Sequence, residues 1–378
     1  MLMSEISSRN DSNLKDMLHP PQPSDFTPRP LPANPFLQAG FYAAFNLCLS
    51  LESRSHLVSL PDPRHPPVIL CARILGYALI EAPTNVGRDH MAKSINDGST
   101  DDTLLALGKY YAQRLLRIFE REERTLSPSD HPSCPDIDNA KELCQYIMEQ
   151  ASLNHSTAKK AALLRDGYHC LLRADTYDRK YFDRNPSAIL SQNPNCNTFP
   201  LQCVHIFPKG LNSNSGENDD SPSDKHDWVA SVWAAVFGLH MTELNGVGTH
   251  RLQNILTLCP DLHDGFDQLA LWLRAVANQP NTYVIETVSV GVLRSLPNRV
   301  VTFTTPDPQA LPLPSPDYLA IHAACCRIAH MSGAIDYVDD VLQDEEEICE
   351  RIERMGILAE DGSSMDLFDK YMTAAIRI

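Results

Sequence analysis

The sequence predicts an α+β protein in which a strand-and-loop core is embedded in helical segments. Three observations carry that expectation. TLLALGKYYAQRLLRIFEREER, from Thr103, has helical periodicity; the stretch from about Gly167 to about residue 305 consists of short β-rich runs broken by turn residues; and the last part of the chain returns to helical spacing.

The elements follow in chain order. Residues 1–34, which include HPPQPSDFTPRPLPAN, are polar and rich in proline and read as a disordered arm. Residues 35–124 form an N-terminal region of unassigned fold, partly helical. Its clearest helix, over 103–124, places Leu104, Leu107, Tyr111, Leu115 and Ile118 on one stripe, with Asp101 and Asp102 at the positive end of the helix dipole. TLSPSDHPSCPD, residues 125–136, has the composition of a linker. A core domain is expected over 137–305, opening with helical segments from Asn139 and from Thr157, the second ending near Gly167. Leu201, Cys203, Val204, Ile206 and Phe207 then form an apolar run of β-formers closed by Pro208 and Gly210, as a buried strand would be. LNSNSGENDDSPSDKHD, from Leu211, reads as a mobile acidic loop, and WVASVWAAVFGLHMTEL, from Trp228, as a helical stretch. Residues 306–378 are a C-terminal helical segment expected to pack on the core. Its first helix has Ser315 as cap, Pro316 and Asp317 in the first turn, and a stop at Ser332 and Gly333. Further helices are expected from Ala334 to Gly356 and over MDLFDKYMTAAI.

Composition narrows the function. With 43% hydrophobic and 21% charged residues in 378, the chain has the make-up of a globular protein. No run is long and apolar enough to cross a bilayer, and MLMSEISSRNDSNLKDM lacks the pattern of a secretory signal, so an intracellular, nuclear or cytoplasmic, protein is expected. The 11 cysteines, without paired CxxC spacing and mostly among apolar residues, read as small buried hydrophobes. A net charge of −16 argues against a large nucleic-acid surface, since phosphate binding depends on Lys and Arg displacing counterions. The charge is uneven, however. Between Ala158 and Arg184, seven cations (Lys159, Lys160, Arg165, Arg173, Arg179, Lys180, Arg184) face four aspartates, a local +3.

His205 stands inside the apolar strand, where an imidazole must be paired or in use. Downstream, Asn254 lies on NILTL, and His263 enters a helix with Phe266, Leu269 and Leu273 on its apolar side; Asp267 follows one turn later. A histidine on a strand, an asparagine after a long insertion and a histidine entering a helix thus occur in order. HIFP, then NILTL, then LHDGFD resemble the HNH endonucleases, the ββα-metal nucleases, in a variant found in fungal proteins. RDGYHC upstream and NTYVIETV, RVVTFTTPDP and LPLPSPDYLAIHAACCRIAHMSGA downstream extend the resemblance over about Leu163 to Ala334.

The resemblance implies a ββα-metal (His-Me finger) core that hydrolyses phosphodiester bonds of DNA, with RNA as an alternative substrate. It implies His205 as general base, Asn254 as the residue that holds the hairpin loop and orients that base, and His263 as ligand of one divalent cation, Mg²⁺ or Mn²⁺ with Zn²⁺ as an alternative. Many members place an acid immediately before the first histidine, whereas Val204 stands there in this chain. Asp267 is therefore the expected second ligand, with Asp261 next. Arg165, Arg173, Lys209 and Arg251 are the expected phosphate contacts, with His250 beside Arg251. Trp272 and Cys259 are read as packing residues, as are Trp228, Trp233 and Cys170. The net acidity and Val204 support a second function class, an inactive HNH-fold module that binds nucleic acid or protein.

Overall fold

The computed structural model describes residues 21–57, 66–98, 100–115, 155–207, 244 and 246–337. These fall into two compact units, one drawn from 27–57, 66–81, 88–98, 100–115 and 327–337, the other from 21–26, 82–87, 155–207, 244 and 246–326. The expected linker, the helix from Asn139, the acidic loop with the stretch that carries Trp228 and Trp233, and the helices beyond residue 337 lie outside the described residues.

The first unit is helical. It contains α1 (Ala39–Ser53), α2 (Val68–Glu81), most of α3 (Asn85–Asp97), and α4 (Asp101–Leu115). Helix α2 is apolar almost all round, as a central helix must be, and it packs against both α1 and α4. Gly108 of α4 makes the second contact possible, because a Cβ there would stand 2.5 Å from Cys71 Cβ. The disordered arm expected through residue 34 is corrected over its described part. Leu31 is buried against α2 at Gly76, the Tyr77 hydroxyl donates to the carbonyls of Arg29 and Pro30, and Leu31 N donates to Glu52, which also pairs with Arg73 at 2.6 Å. Proline-rich composition was misleading there because an extended strap needs no helix or strand to be held.

The second unit carries the strands. α5 (His155–Arg165) ends in a turn at Gly167 (φ +60°) and leads into β1 (His169–Cys170), antiparallel to β2 (Arg173–Asp178). Helices α6 (Arg179–Arg184), with Asp178 Oδ1 accepting from Tyr181 N as its cap, and α7 (Pro186–Gln192) cross over to β3 (Asn197–Phe199), parallel to β2. β4 (Gln202–His205) then pairs antiparallel with β5 (Ile255–Leu258), Gln202 opposite Leu258 and His205 opposite Ile255. α8 (Pro260–Asp267) follows at once. A meander of β6 (Leu271–Ala275), β7 (Thr282–Thr287) and β8 (Val300–Thr302), with α9 (Val290–Ser295) between the last two, completes the strands. α10 (Pro316–Ser332) begins at the expected Ser315 cap and ends at Gly333 (φ +86°).

The β4–β5 pair is held from both sides. Ala158, Ala161 and Ala162 of α5 pack on Cys203 and Ile255. α8 lies against β4 through the opposite face, as shown by the contact of His263 with Gln202. The end of α8 is closed by a Schellman pair, Ala270 N to Gly265 O at 2.8 Å and Leu269 N to Phe266 O at 3.1 Å, with Leu269 left-handed at φ 57°. From α10, His322 lies flat on Phe266, ring centroids 3.7 Å apart, and its Nε2 bonds the Phe266 carbonyl at 3.2 Å. Burial pushes this imidazole down to about 4, so it stays neutral and acts as a packing and capping group. Trp272 is buried, edge-on to Phe26, and donates to Glu286 at 2.7 Å, which makes it the anchor expected and not a base-stacking residue. The described cysteines are free and, except for Cys196, buried.

Candidate active site

His205 is the last residue of β4 and Asn254 the residue before β5, so the antiparallel register alone brings them together. Asn254 is 0% exposed. Its Oδ1 accepts from Phe207 N at 2.9 Å, and its Nδ2 donates to the carbonyls of Phe207 at 3.0 Å and Thr249 at 2.9 Å. Its own carbonyl accepts from Ile206 N at 2.8 Å. The amide therefore ties the backbone just after His205 to the turn Gly246–His250. All the hydrogen bonds of the Asn254 amide shown by the structure thus go to the backbone of Phe207 and Thr249.

His205 Nε2 lies 3.1 Å from Nδ1 of His250, which is itself 6% exposed and ends the same turn. This corrects the expectation that His250 touches phosphate. The neighbouring thiol of Cys203 is inert, since burial pushes it up to about 12.

His263 sits in the second turn of α8. Its Nδ1 is 2.6 Å from Gln202 Oε1, and its Nε2 is 3.0 Å from Asp267 Oδ2, one turn further along the same face. An amide oxygen accepts only, so Nδ1 carries a proton. Nε2 of a neutral ring then turns a lone pair towards a carboxylate oxygen, which is repulsive unless a proton or a cation stands between them. The 3.0 Å spacing is that of an ordinary ion pair with a protonated ring, and it equals the separation of about 3 Å between two ligands each about 2.1 Å from a six-coordinate cation. Both side chains are 20% exposed, open enough for solvent or phosphate to reach the pair. Among the described residues no group of three or more His, Cys, Asp or Glu is arranged for a metal.

Strand alternation accounts for the departure at Val204. Gln202 and Val204 share the face of β4 that meets α8. Val204 is 1% exposed and packs; Gln202, two residues back, reaches His263 and fixes its ring. Asp261, the alternative ligand, is committed elsewhere, to Arg173 at 3.0 and 2.6 Å.

Two of the expected phosphate contacts are contradicted. Arg165 is 2% exposed: it forms a two-pronged pair with Asp166 at 2.7 and 2.8 Å and donates to the carbonyls of Leu252 and Ile255 at 2.8 and 2.9 Å. Arg173 is buried between Asp261 and Ser295. Both guanidiniums are spent on the scaffold, Arg165 on the segment that carries Asn254 and Arg173 on the first turn of α8. Lys209 lies outside the described residues, and Arg251 is half-buried beside His250. Sequence reading missed Gln202, which the period-2 alternation from Val204 marks, and it missed the His250 contact, for which only nearness to Asn254 gave a signal.

No helix among the described residues is long and apolar enough to cross a membrane. No curated protein and no solved structure matches the chain. Residues 187–273, the segment that contains His205, Asn254, His263 and Asp267, match the family model described as HNH endonuclease.

Proposed function

We propose that the protein is a divalent-metal-dependent endonuclease that hydrolyses phosphodiester bonds of DNA from a ββα-metal core made of β4, β5 and α8. The observation that carries this reading is the His263 Nε2 to Asp267 Oδ2 spacing of 3.0 Å, with Gln202 holding the other ring nitrogen, on the helix packed against the strand of His205. His263 and Asp267 would hold Mg²⁺ or Mn²⁺, which when bound would supply charge neutralisation at the phosphate. His205 takes a proton from the attacking water at a ring nitrogen, the new bond from that oxygen to phosphorus replaces the bond to the 3′ oxygen, the departing 3′ oxide takes a proton from a solvent water, and the imidazolium returns its proton to solvent. The products are a 5′ phosphate and a 3′ hydroxyl. Asn254 keeps the backbone at Phe207 and Thr249 in place throughout, so the base does not reorient during reaction.

The buried Val204, where an acid ligand is common in the family, favours the competing reading of an inactive HNH-fold module that binds nucleic acid. Incubation of the full-length protein with supercoiled plasmid separates the two. Nicked circles with 5′ phosphate ends, formed with Mg²⁺ or Mn²⁺ and abolished by a chelator, are expected. Plasmid retained by the protein and left intact with every divalent metal would establish the binding module instead.

A further inference from the structure

We infer that His250 is a positioning residue for the proposed base: its Nδ1 accepts the Nε2 proton of His205, so that the lone pair of His205 lies on Nδ1, the nitrogen that takes the proton from water. The inference rests on the nuclease reading, which decides which of the two rings donates; the contact between them does not depend on it. The two nitrogens are 3.1 Å apart, a distance at which one must carry a proton and the other a lone pair. If His250 were the donor, the lone pair of His205 would be engaged by His250 and its other nitrogen would carry the proton, so a neutral His205 could not accept one from water.

The surroundings of His250 are built for such a role. The residue is 6% exposed and closes the turn Gly246–His250, whose Thr249 carbonyl is bonded by Asn254 Nδ2 and whose Thr249 hydroxyl donates to Leu244 O at 2.9 Å. One buried asparagine thus sets the backbone of both partners, Phe207 beyond His205 and Thr249 before His250. The arrangement places a neutral acceptor behind the base, where it fixes the tautomer and bonds the N–H of the imidazolium after proton transfer. Neither strand periodicity nor the family match assigns this residue a part.

The test has two readouts. Nitrogen-15 spectra of histidine-labelled full-length protein report the tautomer of His205 directly, with no need for activity. The Nε2–H form is expected in the parent and in His250→Asn, whose side-chain oxygen supplies an acceptor near the position of Nδ1, and a mixture of tautomers is expected in His250→Leu. In single-turnover nicking, His250→Leu should be slower by about 10- to 100-fold with DNA affinity unchanged, and His250→Asn should recover most of that loss. An Nδ1–H tautomer in the parent, or one tautomer common to all three proteins, overturns the inference. A parent that cleaves nothing overturns the nuclease reading and leaves the spectra to decide the tautomer.

Discussion

His205→Ala is expected to lower the single-turnover rate of metal-dependent plasmid nicking by a factor on the order of 10²–10⁴, the usual contribution of a positioned general base. Metal affinity should be unchanged, because His263 and Asp267 are held by α8 and by Gln202 rather than by His205. DNA affinity should also hold, since the base makes no charge contact that phosphate binding depends on. The fold should tolerate the change: the hairpin is fastened by Asn254 and by the packing of α5 on Cys203 and Ile255, both independent of the imidazole. The rate and both affinities, measured on the same preparation, check this. A variant that nicks at the parental rate would remove His205 from the mechanism.

Arg165→Ala carries the largest expected loss of stability. The Arg165–Asp166 pair has no exposed side-chain surface, and deleting the guanidinium leaves a buried carboxylate and the carbonyls of Leu252 and Ile255 without their donors. Breaking such a pair costs about 3–5 kcal/mol, which denaturant unfolding of the variant and parent would read. Because the lost bonds hold the Leu252–Ile255 segment, catalysis should fall with stability. A phosphate-binding arginine behaves in the opposite way: its removal leaves stability intact and makes DNA binding less dependent on salt, by about one in the logarithmic slope. Parental stability with a reduced salt slope would restore the role first expected for Arg165.

That contrast marks what sequence carries and what it does not. The helix from Ser315 was legible because cap, first-turn proline and terminal glycine are local chemistry, and α5 was legible near its end at Gly167 for the same reason. His205, Asn254 and His263 were legible as an ordered set, and the register of β4 against β5 puts the first two side by side. The direction of a side chain is a different matter. The local +3 between Ala158 and Arg184 suggested a phosphate surface, yet Arg165 turns inward onto its neighbour Asp166, and Arg173 pairs with Asp261, 88 residues further along the chain and outside that count. Gln202, and the contact of His250 with His205, escaped notice because each acts through a partner whose approach depends on the packing of α8 and of the Gly246–His250 turn.

The proposed mechanism requires a cation shared by His263 and Asp267, one turn apart on α8. Anomalous X-ray scattering from crystals of the full-length protein grown with Mn²⁺ locates that ion directly. The expected result is a peak bridging His263 Nε2 and the Asp267 carboxylate, lost in His263→Ala. A manganese-bound crystal with its ion elsewhere, or with His263 and Asp267 joined only by a proton, would contradict it.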